Sequence, residues 1–434
     1  FYSRYLPCST WGSSMKRLAG LFFSLAAESA WAGKPFTAWV PQWSQVNRAA
    51  LARALSPTLV AVPLAGAIGT ASWGSSLAAL ALAPLAVSLW AARTTRLAAW
   101  LVMLAYYLAA ARGLPFGAAR FFGNDTPAIF SVLLWFGASL ALSAPWTCLW
   151  SRQGYYWRVP LALVLCTVPP VGLVGWANPV VAAGVFFPSL GWFGLAAMVA
   201  ALAALCYWPA RVGAALTVVA LAGTSVNAPA APEWIQAHQT TYGGSGGAGR
   251  DFMRDYAANQ SMIELAVNSK APFVLFPETV AGLWTPATAE LWDDAAAQLR
   301  STGRTAIVGA EVPIEGTGRT RNALVFIGHQ SGELVQRIPV PVSMWKPWAD
   351  AGTEADLFGD GIGQVNGKRA AVLVCYEQLL VWSMLLSQAA RPEIVIGAAN
   401  DYWAAQTSIP GIQSMTLRAW SRLFSVPLVV AVNL

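Results

Sequence analysis

Between residues 57 and 227 the chain is apolar almost without interruption, and its polar residues fall in short breaks rather than along one side of each segment. Helices are predicted at roughly 75–92, 97–111, 128–148, 160–178, 188–208 and 212–226, with a weaker one near 57–73. A helix that is apolar all round is a buried one. Several of these segments approach the ~20 residues that cross a hydrocarbon layer, so the pattern predicts a polytopic α-helical membrane domain of about seven spans over 57–227. After residue 228 the pattern changes. Short apolar strands alternate with helical stretches: helix 250–269, strand 272–276, helix 287–301, strand 305–310, strands 322–328 and 333–337 joined by Ser331-Gly332, strand 370–375, helix 379–389, strand 393–397, helix 410–424 and strand 427–431. Such alternation predicts an α/β layered domain over 228–434 with helices on both sheet faces.

Charge divides the chain at the same place. Residues 1–227 hold 13 Lys and Arg against two acids, Glu28 and Asp125, whereas the later half holds 14 bases and 18 acids. The net +7 therefore belongs to loops flanking apolar segments and does not indicate nucleic-acid binding. Arg93 with Arg96, Arg152 with Arg158, and Arg211 fall in alternate loops, as do Arg48 and Arg53 ahead of the first span. That bias predicts a cytoplasmic N-terminus and, after seven spans, an outer half on the periplasmic side of a bacterial inner membrane.

Both ends look irregular. The chain starts at Phe1, and Met15-Lys16-Arg17 resembles a start site, so residues 1–14 read as upstream translation or a fragment's edge within an N-terminal segment of 1–56. The last strand runs into Leu434, where a fold of this kind is expected to continue, so the outer half reads as truncated at its C-terminus. A glycine-rich stretch, 241–249, reads as a flexible connection.

The candidate chemistry lies at two strand ends. One strand leads through Pro277 into Glu278, and another ends in Cys375-Tyr376-Glu377. Cys375 is the one cysteine after residue 227, so it is predicted to be a free thiol. A thiol nucleophile needs a base or a positive field. The only histidines, His238 and His329, read as solvated loop residues. Glu278 fits a base whose pKa burial would raise, and fits equally a cap for the segment that follows it. Three lysines fall after residue 227, and Lys270 and Lys368 lie at the far ends of their strands, leaving Lys346 for a charge-stabilising role or for an exposed place beside Trp345 and Trp348. No His/Cys spacing suits a metal, and nothing calls for a cofactor.

A strand-end Pro-Glu, a lysine and then Cys-Tyr-Glu, in this order, resemble the nitrilase (carbon–nitrogen hydrolase) superfamily, and the membrane domain ahead of them looks like the apolipoprotein N-acyltransferase branch. Asn400-Asp401-Tyr402-Trp403, Arg418 and Asn433 carry the resemblance further. It implies an α-β-β-α sandwich, Cys375 as thioester-forming nucleophile, Glu278 as base, a backbone oxyanion donor at Tyr376 and a supporting carboxylate at Glu377. The family's lysine register departs here: Gln336-Arg337-Ile338-Pro339-Val340-Pro341 holds none, so Lys346 from a shifted loop or Arg337 must take the role, or the triad is incomplete. This departure resembles divergent nitrilase-like membrane proteins encoded with plasmid conjugal-transfer genes. The resemblance implies a membrane-bound thiol acyltransferase or amidohydrolase, with a phospholipid acyl donor and a lipoprotein or amine acceptor. The competing reading is a catalytically weak component of a conjugal-transfer or envelope apparatus.

Overall fold

The computed structural model describes residues 48–123, 127–244 and 252–434, with side chains from residue 58 onward. The N-terminal irregularities, Glu28 and Asp125 lie outside the described residues.

The apolar half forms helices α1 (Arg48–Ser72), α2 (Pro84–Ala91), α3 (Arg96–Ala110), α4 (Leu114–Phe122), α5 (Ala128–Leu149), α6 (Tyr155–Leu165), α7 (Ala183–Phe186), α8 (Gly191–Leu205) and α9 (Pro209–Gly223). Several expected spans are broken. The one at 160–178 stops at Leu165, and Pro169 and Pro170, which cannot donate to a helical ladder, lead instead into a single 3₁₀ turn. The one at 75–92 is divided between a 3₁₀ turn, Ala78–Leu82, and α2. Among the described residues, α5 alone is long and apolar enough to cross a membrane by itself, and α3 with α4, bent by 52°, makes a second candidate.

The later half contains strands β1 (Ile235–Ala237), β2 (Phe273–Leu275), β3 (Thr305–Pro313), β4 (Gly318–Gly328), β5 (Gly332–Val335), β6 (Ala351–Thr353), β7 (Ile362–Val365), β8 (Lys368–Val374), β9 (Ile394–Asn400) and β10 (Leu428–Asn433). Its helices are α10 (Phe252–Asn268), α11 (Pro286–Leu291), α12 (Asp293–Ser301), α13 (Val381–Ala389) and α14 (Ile409–Phe424). One sheet runs β1-β2-β3-β4-β5 with β6 beside β4, and the other runs β10-β9-β8-β7. Their facing sides share one core, in which Leu275, Ile307 and Phe326 meet Val372, Ile396 and Val429. Met262, Trp292 and Leu299 cover the outside of the first sheet. Leu379, Met384, Met415 and Leu417 cover the outside of the second, against Leu373 and Val395. The layers are therefore α-β-β-α. Strands buried on both faces explain the near-continuous apolar runs of β8 and β9 in the sequence.

Two expectations shift. The sheet begins at β1, ahead of the glycine-rich connection, and His238 after it stacks on Phe276 at 5.4 Å rather than standing in solvent. The apolar half and the sandwich also share a continuous core, in which α14 is covered by the sheet on one side and by α7 and α8 on the other. Gly184 of α7 makes this approach possible, since a Cβ there would lie 2.0 Å from the Ala419 carbonyl oxygen.

Candidate active site

Glu278 and Cys375 converge because their strands, β2 and β8, are interior strands of facing sheets. The chain leaves β2 through Phe276 and Pro277, with the Phe276 amide bound to the Ile307 carbonyl at 2.8 Å. Gly309 of β3 lets the turn lie close, because a Cβ there would meet the Pro277 oxygen at 2.2 Å. From the other sheet, β8 delivers Cys375 with φ of +48°, turning the chain sharply into the 3₁₀ turn Cys375–Leu379. A non-glycine residue in that region costs of order 1–2 kcal/mol, and such strain persists only where surrounding contacts impose it.

The contacts are specific. The Cys375 thiol and the Glu278 carboxyl are both buried and line one cavity, where each acts on the other's ionisation. Asn322 Nδ2 donates to Glu278 Oε1 at 2.5 Å, and the Asn400 amide donates to Oε2 at 2.9 Å. Asn433 holds Asn400 in place, donating from Nδ2 to Asn400 Oδ1 at 2.7 Å. Burial outweighs these bonds and raises the Glu278 pKa to about 7. Burial, then the charge of Glu278, pushes the Cys375 thiol well up. Asp401, buried beside them, is raised by burial to about 8. At neutral pH the resting site is therefore a protonated thiol beside a carboxyl poised between its two states.

The remaining expected residues divide. Glu377 lies behind Cys375, where its Oε1 accepts from the Arg337 amide, Arg337 Nε and the Ile338 amide at 3.2, 3.0 and 3.2 Å, and its Oε2 accepts from the Val374 amide at 3.0 Å. Arg337 is committed to that ion pair and to the carbonyls of Gly359 and Ser383, so it is a brace for the turn rather than a partner of the thiol. Lys346 is exposed on a loop, while its neighbours Ser343 and Met344 line the cavity over Cys375. The charged third position thus stays unfilled among the described residues that line the cavity, for a local reason. Trp345 folds back to Val340 through its amide at 3.1 Å, and Lys346 follows that turn outward. Tyr376 is second in the 3₁₀ turn, among the first amides, which lack partners within such a turn. Its hydroxyl donates to the Leu173 carbonyl at 2.6 Å and ties the site to the helical half.

Sequence reasoning missed the residue that joins the two strand ends. Gln336 is buried, accepts from Asn322 Nδ2 through Oε1 at 2.8 Å, and donates from Nε2 to the Val374 carbonyl at 2.9 Å. A search for charge passes over it, because a neutral amide has no catalytic signature. Its place in the sequence, next to the expected lysine register, was the available signal.

A cavity of about 260 Å³ lies over the pair. Its polar end holds Glu278, Glu311, Asn400 and Cys375, and its other walls are Leu114, Phe121 and Phe122 of α4, Leu134 of α5 and Trp176. The arrangement can present an acyl carbonyl to the thiol with an apolar chain along α4. Among the described residues no cluster of His, Cys, Asp and Glu could hold a metal ion.

No family model matches the chain. It is 34% identical over 427 residues to the conjugal transfer protein TraB of Agrobacterium fabrum, covering 92% of this chain and 97% of that protein. It is 36% identical over 386 residues to the probable conjugal transfer protein TraB of Sinorhizobium fredii, covering 84% and 95%. Among solved structures, a nitrilase-superfamily amidase from Nesterenkonia aligns over 48% of this chain and 78% of that one, at 17% identity and a TM-score of 0.31. A glutamine-dependent NAD+ synthetase from Acinetobacter baumannii aligns over 38% and 32%, at 17% identity and a TM-score of 0.27. At this extent of likeness to its sequence relatives, the chain belongs to the conjugal transfer protein TraB family.

Proposed function

We propose that the protein is a membrane component of a conjugal-transfer apparatus that carries a carbon–nitrogen-hydrolase-type thiol site. The single observation that carries the chemistry is the burial of Cys375 and Glu278 together in the lining of one largely apolar cavity. Ionised Glu278 takes the thiol proton as Cys375 Sγ bonds to a substrate carbonyl carbon. Collapse of the tetrahedral intermediate breaks the bond to the leaving amine or alkoxide, which takes the proton back from Glu278. The Tyr376 amide is the candidate donor to the oxyanion. Water or an amine then attacks the thioester carbon and gives a proton to Glu278; the C–S bond breaks, the acyl group leaves as acid or amide, and Glu278 returns the proton to Cys375.

The apolar walls favour a long acyl chain, and a phospholipid donor with a lipoprotein or amine acceptor is the form of this reaction that explains the helical half. In that setting the helices form a multi-pass domain in the inner membrane, with the sandwich on the periplasmic side. The test is the mass of the Cys375 peptide after the membrane-purified protein meets phospholipid. An acyl adduct on Cys375 is expected. Its complete absence, while iodoacetamide still alkylates Cys375, would overturn the covalent reading.

A second reading is favoured by one observation, the neutral Gln336 at the position bridging the strands. Without a cation the thiolate is poorly supported, and the site could serve assembly alone. Full conjugal-transfer frequency in a Cys375→Ala strain would support assembly, and loss of transfer with normal folding would support catalysis.

A further inference from the structure

A second cavity, of about 710 Å³, lies apart from the thiol, walled by Leu77, Leu82 and Leu85 on one side and by Leu216 and Leu221 of α9 on the other. Two arginines of α14, Arg418 and Arg422, complete its wall. They are four residues apart and so share one helix face, where two like charges repel. Arg418 is exposed and donates to the carbonyls of Ser75, at 2.9 Å, and Ser414. Arg422 donates to the carbonyls of Val226, at 2.8 Å, and Gly223. Gly223 ends α9, and Ser75 lies just past the end of α1, so both guanidiniums stand where apolar helices stop. Neither forms an ion pair among the described residues, and no carboxylate lines the cavity. Each guanidinium has five N–H donors, and these bonds use only its Nε and Nη2 groups.

Capping of helix-end carbonyls explains those bonds but not a leucine-walled cavity beneath a pair of cations. We infer that this cavity binds an anionic phospholipid, its phosphate bridged by Arg418 and Arg422 and its acyl chains lying along α9 and Leu77–Leu85. The charge pair, unbalanced by any carboxylate in the wall, selects an anion. The apolar wall selects one that carries chains. The inference takes only the membrane setting from the proposed function and owes nothing to the thiol.

The test uses the full chain in a mild non-ionic detergent, followed by native mass spectrometry during titration with palmitoyl-oleoyl phosphatidylglycerol or the phosphatidylcholine of the same chains. Phosphatidylglycerol should be retained roughly 30-fold better, about fivefold for each guanidinium. Arg418→Gln with Arg422→Gln should remove that preference. Arg418→Gln with Arg422→Lys, which keeps a cation at the helix end, should lower it about fivefold if the first pair folds poorly. Gly213→Leu adds a side chain to the cavity wall where a Cβ meets nothing within 4 Å, and a helix interior gains from losing glycine. It should fold normally and weaken both lipids. Equal retention of the two lipids, or retention indifferent to the arginine pairs or to Gly213→Leu, would overturn the inference. Cys375→Ala should leave both affinities unchanged; if it abolishes them, the lipid sits at the thiol and the inference fails.

Discussion

Glu278 and Cys375 bury an acid and a thiol against one another, with no lysine or arginine among the described residues that line their cavity. The pH dependence follows from that pairing. Glu278 must be ionised to accept the proton, and its pKa is raised to about 7, so alkylation of Cys375 should rise as pH increases through about 7. Glu278→Gln should slow that alkylation by roughly 10²–10⁴-fold, the usual contribution of a positioned base. Asp401, raised to about 8, ionises above that pH and its charge then holds the Cys375 thiol up, so Asp401→Asn should speed alkylation above about pH 8 and change it little below. Gln336→Lys tests the missing cation. A positive charge next to both strand ends favours thiolate and carboxylate, so alkylation at pH 7 should rise roughly tenfold or more, with an earlier midpoint. A slower reaction in a folded variant would place Gln336 away from the thiol's field. The pairing of Cys375 with Glu278 in one cavity was legible in the sequence, because strand ends carry functional groups with a recognisable chemistry. Elimination among the lysines points to Lys346, which is exposed, because a count of charges does not register a neutral amide such as Gln336. Asn322 and Gln336 do their work through amide geometry that exists only once the two sheets face one another.

At the scale of elements, the strained turn after β8 depends on a brace that lies three residues along the chain and one sheet away. Glu377 accepts four bonds, two of them from backbone amides after β5 and one from Val374, so it fixes the end of β8 to the start of the Arg337 loop. Burial raises its pKa and the Arg337 charge lowers it, and the bonded ion pair is the arrangement that satisfies both groups. Glu377→Ala leaves Arg337 as a buried charge without its partner, which typically costs about 3–5 kcal/mol. Chemical denaturation should show that loss, and the folded fraction should alkylate more slowly as the turn loosens. Stability within 1 kcal/mol of wild type would mean that water reaches Arg337. The strands of the sandwich were legible from their apolar runs, and β1, β6 and β7 were not, since each has three or four residues and pairs at a sheet margin. The helical half was legible as apolar but not as separate spans. Periodicity does not register a helix that stops at Leu165 with two prolines ahead, or a bend between α3 and α4.

For the molecule as a whole, composition divides the chain at residue 227 but packing does not. Met415, Ala419, Trp420 and Leu423 of α14 belong to a core that also holds Val181, Phe186 and Met198. The sandwich therefore lacks a closed outer layer without the helices before it, because the covering face of α14 is shared. A fragment of residues 228–434 should expose that face, and exposed contiguous apolar surface promotes association. The finer test keeps the chain whole. Gly184→Leu forces a side chain into the space now taken by the Ala419 backbone, which must move because the contact is with main chain rather than with a flexible side chain. Overpacking of this kind costs about 1–3 kcal/mol or more. Because α14 also supplies Gln413, whose Nε2 donates to the Cys375 carbonyl at 3.1 Å, displacement of α14 should reach the thiol. Gly184→Leu should therefore lower both the melting temperature and the rate of Cys375 alkylation, although residue 184 lies outside the lining of the thiol cavity. A lowered melting temperature with unchanged alkylation would show that α14 yields locally at Ala419 and that the helical half holds the sandwich without tuning its thiol.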